Sequence, residues 1–352
     1  MKNKLERTNA RTHECTKGNH KEAVSCFRAF ALSCCFILFL SCGQQPIKQE
    51  NKNEAKPIST VQVPIFNADS AFLFIQRQVD FGPRVPNTAA HKACAEFLVN
   101  ELRRFGAKVI EQRANLTAFD GTILEAINII GSFNLENETR VLLFAHWDTR
   151  PFADNDPNPE NFFTPIDGAN DGGSGVGVLL EIARLIGQNP PNVGIDIIFF
   201  DAEDYGQPSF DTGRRVEHSW ALGSQHWARN PHVPGYRARF GILLDMVGAR
   251  NATFPKEGFS MRYAPHVVEK IWAKARSLGY GDLFVTRRGG YIVDDHLYVN
   301  QIIGIPSANI IHLTESGFFE QWHTIDDTME QIDKDVLKAV GQTVLAVIYN
   351  VK

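Results

Sequence analysis

Four short, unbroken apolar runs constrain this chain more than any other feature: Val141 to Trp147 (VLLFAHW), Ile195 to Asp201 (IDIIFFD), Phe240 to Val247 (FGILLDMV) and Ala308 to Leu313 (ANIIHL). A strand covered on one face alternates apolar and polar residues, whereas an unbroken run of this length suits a strand buried on both faces of a largely parallel sheet. Helical spacing lies between the runs at about 173–187, 219–229, 265–278, 295–301 and 333–349. Two further helical patterns come first, at 69–79 and 88–104, with Asp69 and Asn87 as N-cap candidates and Gly106 closing the second. Segments 107–113 and 122–131 alternate as a hairpin. The expected fold is therefore α/β: one domain over residues 61–352, with an open, mixed, largely parallel sheet and helices on both faces.

The 352 residues, 43% of them apolar and 22% charged, can build a large core. The N-terminal end differs. Residues 29–41 form a 13-residue apolar run after Arg28, too short to span a bilayer and suited to the core of a signal peptide. It ends in Phe39-Leu40-Ser41-Cys42, a loosened lipobox, so Cys42 is the expected lipidated first residue, and the polar stretch 42–60 reads as a tether. An ordinary secretory signal with an incidental cysteine is the competing reading. Cleavage before Cys42 leaves 29 basic and 37 acidic residues, a net charge of −8 that argues against a nucleic-acid partner. It also leaves Cys94 as the one cysteine without lipid, so no intrachain disulfide forms. The expected location is a bacterial envelope, lipid-anchored and facing the periplasm.

Reactive groups in such a sheet belong beyond the carboxyl ends of the strands. His146 and Asp148 end the first run, Glu203 and Asp204 follow the second, Asp245 lies in the third, and His323 comes ten residues after the fourth. Asp171 lies in GANDGGSGVG, just before a helix. One acid at a strand end is usually a cap or a solvated residue. Four segments that each end in a metal-ligand type of side chain weaken that reading. An Asp from a helix-preceding loop, a carboxylate from a strand end and a distant His suit zinc with an open position. Of two adjacent carboxylates past a strand, one can ligate while the other handles protons. The glycine-rich segment lacks the Lys of a Walker motif, so a phosphate loop ranks low.

The motifs HWDTRP, GANDGGSGVGVLLEIAR, FFDAEDYG, LGSQHWA, LLDMVGA and QWHTIDD resemble, in order, those of zinc-dependent aminopeptidases and of their relatives, the animal-type glutaminyl-peptide cyclotransferases. The resemblance covers about residues 70–350. In the aminopeptidases two zinc ions share a bridging Asp; the matching positions are His146, Asp171, Asp204, Asp245 and His323, with Glu203 as general base. The cyclases keep these positions but hold one zinc, at those matching Asp171, Asp204 and His323, which leaves His146 as a second-metal or structural residue. The segment from Val293 to Asp327 is similar to the cyclases in particular, with an Asp-Asp-His, then His312, Phe318, Trp322 and His323 at matching spacing. The resemblance implies a cyclase acting on peptides or proteins with N-terminal glutamine, with one zinc, with Asp294 and Asp245 flanking Glu203, and with Trp322, Phe318 and His312 about the substrate. A dizinc aminopeptidase is the alternative. The sequence departs from the animal pattern at Asp204, where those enzymes carry Glu; it also lacks their disulfide and a tryptophan in the loop 205–218, and leaves open whether Trp220 replaces the latter.

If Cys42 carries the lipid, labelled palmitate enters the wild-type chain and fails to enter Cys42→Ala, which remains catalytically active because the tether is remote from the metal motifs. An unlabelled wild-type chain would remove the anchor.

Overall fold

The computed structural model describes residues 62–351; the signal segment, Cys42 and the tether at 42–60 lie outside the described residues. Two helices, α1 (Ala68–Val79) and α2 (Ala89–Arg104), precede a long hairpin of β1 (Lys108–Thr117) and β2 (Ile123–Phe133). Then come β3 (Arg140–His146), α3 (Gly173–Gln188), β4 (Gly194–Phe200), α4 (Leu222–Arg229) and β5 (Gly241–Asp245). The chain continues through α5 (Gly258–Tyr263), α6 (Pro265–Ser277), α7 (Asp295–Tyr298), β6 (Ser307–Ile311) and α8 (Lys334–Tyr349).

The six strands form one open sheet in the order β1-β2-β4-β3-β5-β6. The β4/β3, β3/β5 and β5/β6 pairs are parallel, whereas β2 runs antiparallel to both β1 and β4. The chain leaves β3 for β4 on one side and then crosses to β5 on the other. That reversal makes the carboxyl end of β3 a topological switch point, where open α/β sheets place their sites. Alternate residues of the central strands feed two cores. Val141, Leu143, Ile197 and Leu244 pack under α1, α3, α6 and α8, while Leu142, Phe144, Ile198 and Leu243 pack on the opposite face with Trp227 of α4 and Val299. Cover on both faces is why these strands read as unbroken apolar runs.

Glycines set how closely α3 approaches the sheet. Gly172 precedes the helix at φ +84°, where a Cβ would lie 2.4 Å from the Asp148 carbonyl oxygen; a Cβ on Gly175 would lie 2.2 Å from that of Leu244.

Local chemistry moves several expected boundaries. Asn67, not Asp69, caps α1 by accepting from the Ser70 N–H, and Thr88, not Asn87, caps α2 by accepting from that of His91. Asn87 instead sits at φ +76° and bridges to the hairpin, bonding Ile123 and Glu125. The helix expected from 219 starts at Leu222, because Ala221 is left-handed. The helix expected over 295–301 is the single turn of α7 followed by a π-helical segment, Val299–Ile303. Sequence spacing missed α5, six residues long. No helix among the described residues is long and apolar enough to cross a membrane.

Leu143, fully buried in β3, and Leu73, 60% exposed on α1, give a stability contrast. Leu143→Ala should cost about 2–5 kcal/mol in urea unfolding, and Leu73→Ala no more than about 0.5 kcal/mol.

Candidate metal and catalytic site

Two buried groups of metal-ligand type converge beyond β3, β4 and β5: His146, Asp171 and Asp245, and Asp171, Asp204 and His323, with Asp171 common to both. His146 Nε2 lies 3.0 Å from Asp171 Oδ1 and 3.3 Å from Asp245 Oδ1. His323 Nε2 lies 3.2 Å from Asp204 Oδ1 and 3.7 Å from Asp171 Oδ2. Asp204 Oδ2 and Asp245 Oδ1 are buried without a hydrogen-bond donor. Buried carboxylate oxygens without donors are costly, and a cation resolves the cost. The His and carboxylate donors suit zinc, so the residues present fit that ion.

Acids behind these groups orient them. Asp148 accepts the backbone N–H groups of Glu203 and Asp204, both at 3.1 Å, and Asp327 accepts those of Asn170 and Asp171, both at 2.9 Å. Asp154 lies 3.2 Å from His323 Nδ1 and is itself held by Arg150 at 2.6 and 2.8 Å. A carboxylate on the far nitrogen of a metal-binding imidazole fixes its tautomer and ring orientation. Three non-glycine residues here, Ala202, Met246 and His323, have φ between +51° and +57°. Such conformations are sparsely populated and persist where surrounding contacts enforce them. At Ala202 those contacts include Asp201, which accepts the Ala202 N–H at 2.7 Å and holds His91 with both oxygens, while the Ala202 carbonyl accepts the Leu222 N–H.

Burial drives the Glu203 carboxyl well above its usual range; the positive field of His146 opposes this, and Asp294, Asp204 and Asp295 add to it. Burial and then the charge of Asp294 raise Asp245 to about 7. His146 rises despite burial, because Asp148, Asp171 and Asp245 surround it. A bound cation reverses this balance for the carboxylates.

The site opens into a cavity of about 480 Å³. Asp171, Glu203, Asp204, Asp245, Asp294, Phe318, Trp322 and His323 all line it. Trp322 stacks on His323, with ring centroids 3.7 Å apart, and on Phe318 at 3.9 Å. Trp220 faces His323 from 5.8 Å, nearly parallel, with the Arg150 guanidinium 4.5 Å over its ring. Asp294 caps α7 and accepts from the Asn309 side chain at 2.6 Å. His312 is not part of this lining. It is buried, stacks on Phe319 at 5.7 Å, and is lowered to about 4 by burial alone.

These acids and histidines lie within residues 128–348, a stretch that matches peptidase family M28. The chain belongs to peptidase family M28. Among solved structures, a Zn-dependent exopeptidase from Parabacteroides distasonis is 62% identical, with a TM-score of 0.81 over 82% of this chain and all of that one. The glutaminyl cyclase of Bacteroides thetaiotaomicron is 58% identical, with a TM-score of 0.82 over 83% of this chain and all of that one. Bovine glutaminyl-peptide cyclotransferase is 26% identical over 296 residues, 72% of this chain and 74% of its own. Aminopeptidase YwaD of Bacillus subtilis is 29% identical over 276 residues, which are 76% of this chain but only 54% of that protein.

Sequence reasoning missed the buried Arg150–Asp154 pair behind His323 and the role of Asp327. Both lie inside the quoted motifs or beside them, but only folding brings Asp154 to His323 and Asp327 to Asp171. Asp154→Asn should weaken zinc binding about 10- to 100-fold in competitive chelation. Zinc affinity equal to wild type would remove its orienting role.

Proposed function

We propose that this M28 chain is a zinc-dependent glutaminyl-peptide cyclotransferase, converting the N-terminal glutamine of peptides or proteins to pyroglutamate with release of ammonia. The observation that carries this reading is the aromatic wall, Trp322 stacked between His323 and Phe318 beside Glu203. A glutamine must fold back so that its amine reaches its own γ-carbonyl, and close flat walls favour that pose and exclude water. The high identity to the Bacteroides cyclase supports the same reading.

Asp171, Asp204 and His323 would hold the zinc. When bound, it supplies a Lewis acid that polarises the γ-amide oxygen and stabilises the charge developing there. Glu203 takes a proton from the α-amine as its nitrogen forms a bond to the γ-amide carbon. The carboxyl then returns that proton to the amide nitrogen, whose bond to carbon breaks as ammonia leaves. Asp245 and Asp294 flank Glu203 and hold its proton network, and Trp322 and Phe318 keep the glutamine bent. His312 stacks on Phe319, whose apolar cluster packs against Phe318 and Trp322.

The His146–Asp171–Asp245 group and the exopeptidase relative favour a second reading, a dizinc aminopeptidase. Incubation with Gln-initiated and Leu-initiated peptides separates the two: a cyclase releases ammonia from the first and leaves the second intact, whereas free leucine would establish the peptidase. About one zinc per chain is expected, and a second equivalent lost in His146→Ala would again favour the peptidase. We also propose that Cys42 anchors the enzyme by lipid in a bacterial envelope, from the apolar run before it and the polar stretch after it.

Glu203→Gln keeps the shape of the side chain but cannot take the amine proton. It should keep its zinc and lose roughly 10²- to 10⁴-fold in rate on Gln-peptides; near-normal turnover would exclude Glu203 as the base. Trp322→Ala should keep its zinc yet lose most of kcat/KM on the same peptides, because no ligand is removed. Unchanged kcat/KM would exclude the indole wall.

A further inference from the structure

Bent into the cavity, an N-terminal glutamine presents three polar groups: its amine, its γ-amide, and the peptide group leading to residue two. The reading above, on which this inference rests, accounts for the first two. The third leaves by the mouth, which Arg215 to His218 line on one loop and Tyr291 to Val293 on another. Tyr298 also lines the cavity and is only 2% exposed. It is the last residue of α7, where the chain passes into the π-helical segment Val299–Ile303, a type of distortion frequent at functional sites.

The Tyr298 hydroxyl lies 3.1 Å from Nδ1 of His218. His218 is itself constrained: its backbone is left-handed at φ +58°, and its carbonyl oxygen accepts from the Gln225 side chain, which also bonds the Trp220 carbonyl oxygen. Burial and the nearby charges of Glu203 and Asp295 raise the phenol to about 12, so it stays protonated and lies within the field of the base. A phenol has a single hydrogen. With the His218 tautomer that leaves Nδ1 as an acceptor, the phenol donates to it and keeps its oxygen lone pairs free to accept.

We propose that the Tyr298 hydroxyl, oriented by His218, accepts a hydrogen bond from the backbone N–H of substrate residue two and so selects peptides in which that N–H exists. Proline at residue two has none, which makes the test internal to one enzyme. Tyr298→Phe keeps the ring and its packing and removes the hydroxyl, both the acceptor and its bond to His218. It should lower kcat/KM about 3- to 10-fold on Gln-Ala peptides, the range for one neutral hydrogen bond, and leave Gln-Pro peptides at the wild-type rate. His218→Ala should shift the Gln-Ala rate in the same direction, with no further loss in the double variant. Equal losses on both peptides would mean that Tyr298 merely supports the wall, and no loss on either would mean that it does not meet the substrate; each result overturns the proposal. Ammonia release from Gln-Ala by wild type, measured alongside, separates failure of this proposal from failure of the cyclase reading.

Discussion

The concentration of buried negative charge at one end of the sheet is the constraint around which the site is built. Asp148, Asp171, Glu203, Asp204, Asp245, Asp294 and Asp327 are all buried there, against Arg150 and the imidazoles of His146 and His323 as protein counter-charges. Carboxylates withdrawn from water are tolerated only with hydrogen-bond donors, protons or cations. Backbone N–H groups satisfy Asp148 and Asp327, and Arg150 satisfies Asp154; one oxygen each of Asp204 and Asp245 is left without a donor, and each of these acids belongs to one of the two buried ligand-type groups. Metal affinity and the cost of burying these acids are thus one quantity seen from two directions.

This arrangement needs a rigid frame, because parallel strands deliver backbone, not side chains, to the edge. Three left-handed residues, Ala202, Met246 and His323, turn the chain sharply where β4, β5 and the last loop reach the site. Two of them are visibly held: the Ala202 turn by Asp201 and α4, the His323 ring by Asp154 and Trp322. Local strain is sustained by the two packed faces of the sheet, so stability in the core and geometry at the metal are linked.

Aromatic rings set the chemistry apart from that of an open hydrolytic site. Trp322 and Trp220 cover His323 with flat apolar surface, Phe318 extends that surface beyond Trp322, and acids line the same cavity. Such walls restrict the pose of a small side chain and leave little room for a competing water molecule.

The parallel core was legible in the sequence because burial on both faces removes polar residues from whole strands, as in VLLFAHW and IDIIFFD. The candidate ligand residues could be picked out because strand ends and the glycine loop are short-range features, and at 172 a Cβ would lie 2.4 Å from the Asp148 carbonyl oxygen. Helix caps such as Thr88 were read one or two residues away, since neighbouring Asn and Thr both cap well and the hairpin decided by engaging Asn87. Tertiary structure alone decided that Asp154 lies behind His323, that His312 stacks on Phe319, and that Tyr298 meets His218 across 80 residues. The physical reason is common to all three: residue type and spacing report the local backbone, whereas the partner of a side chain depends on which strands become neighbours when the sheet closes its two cores.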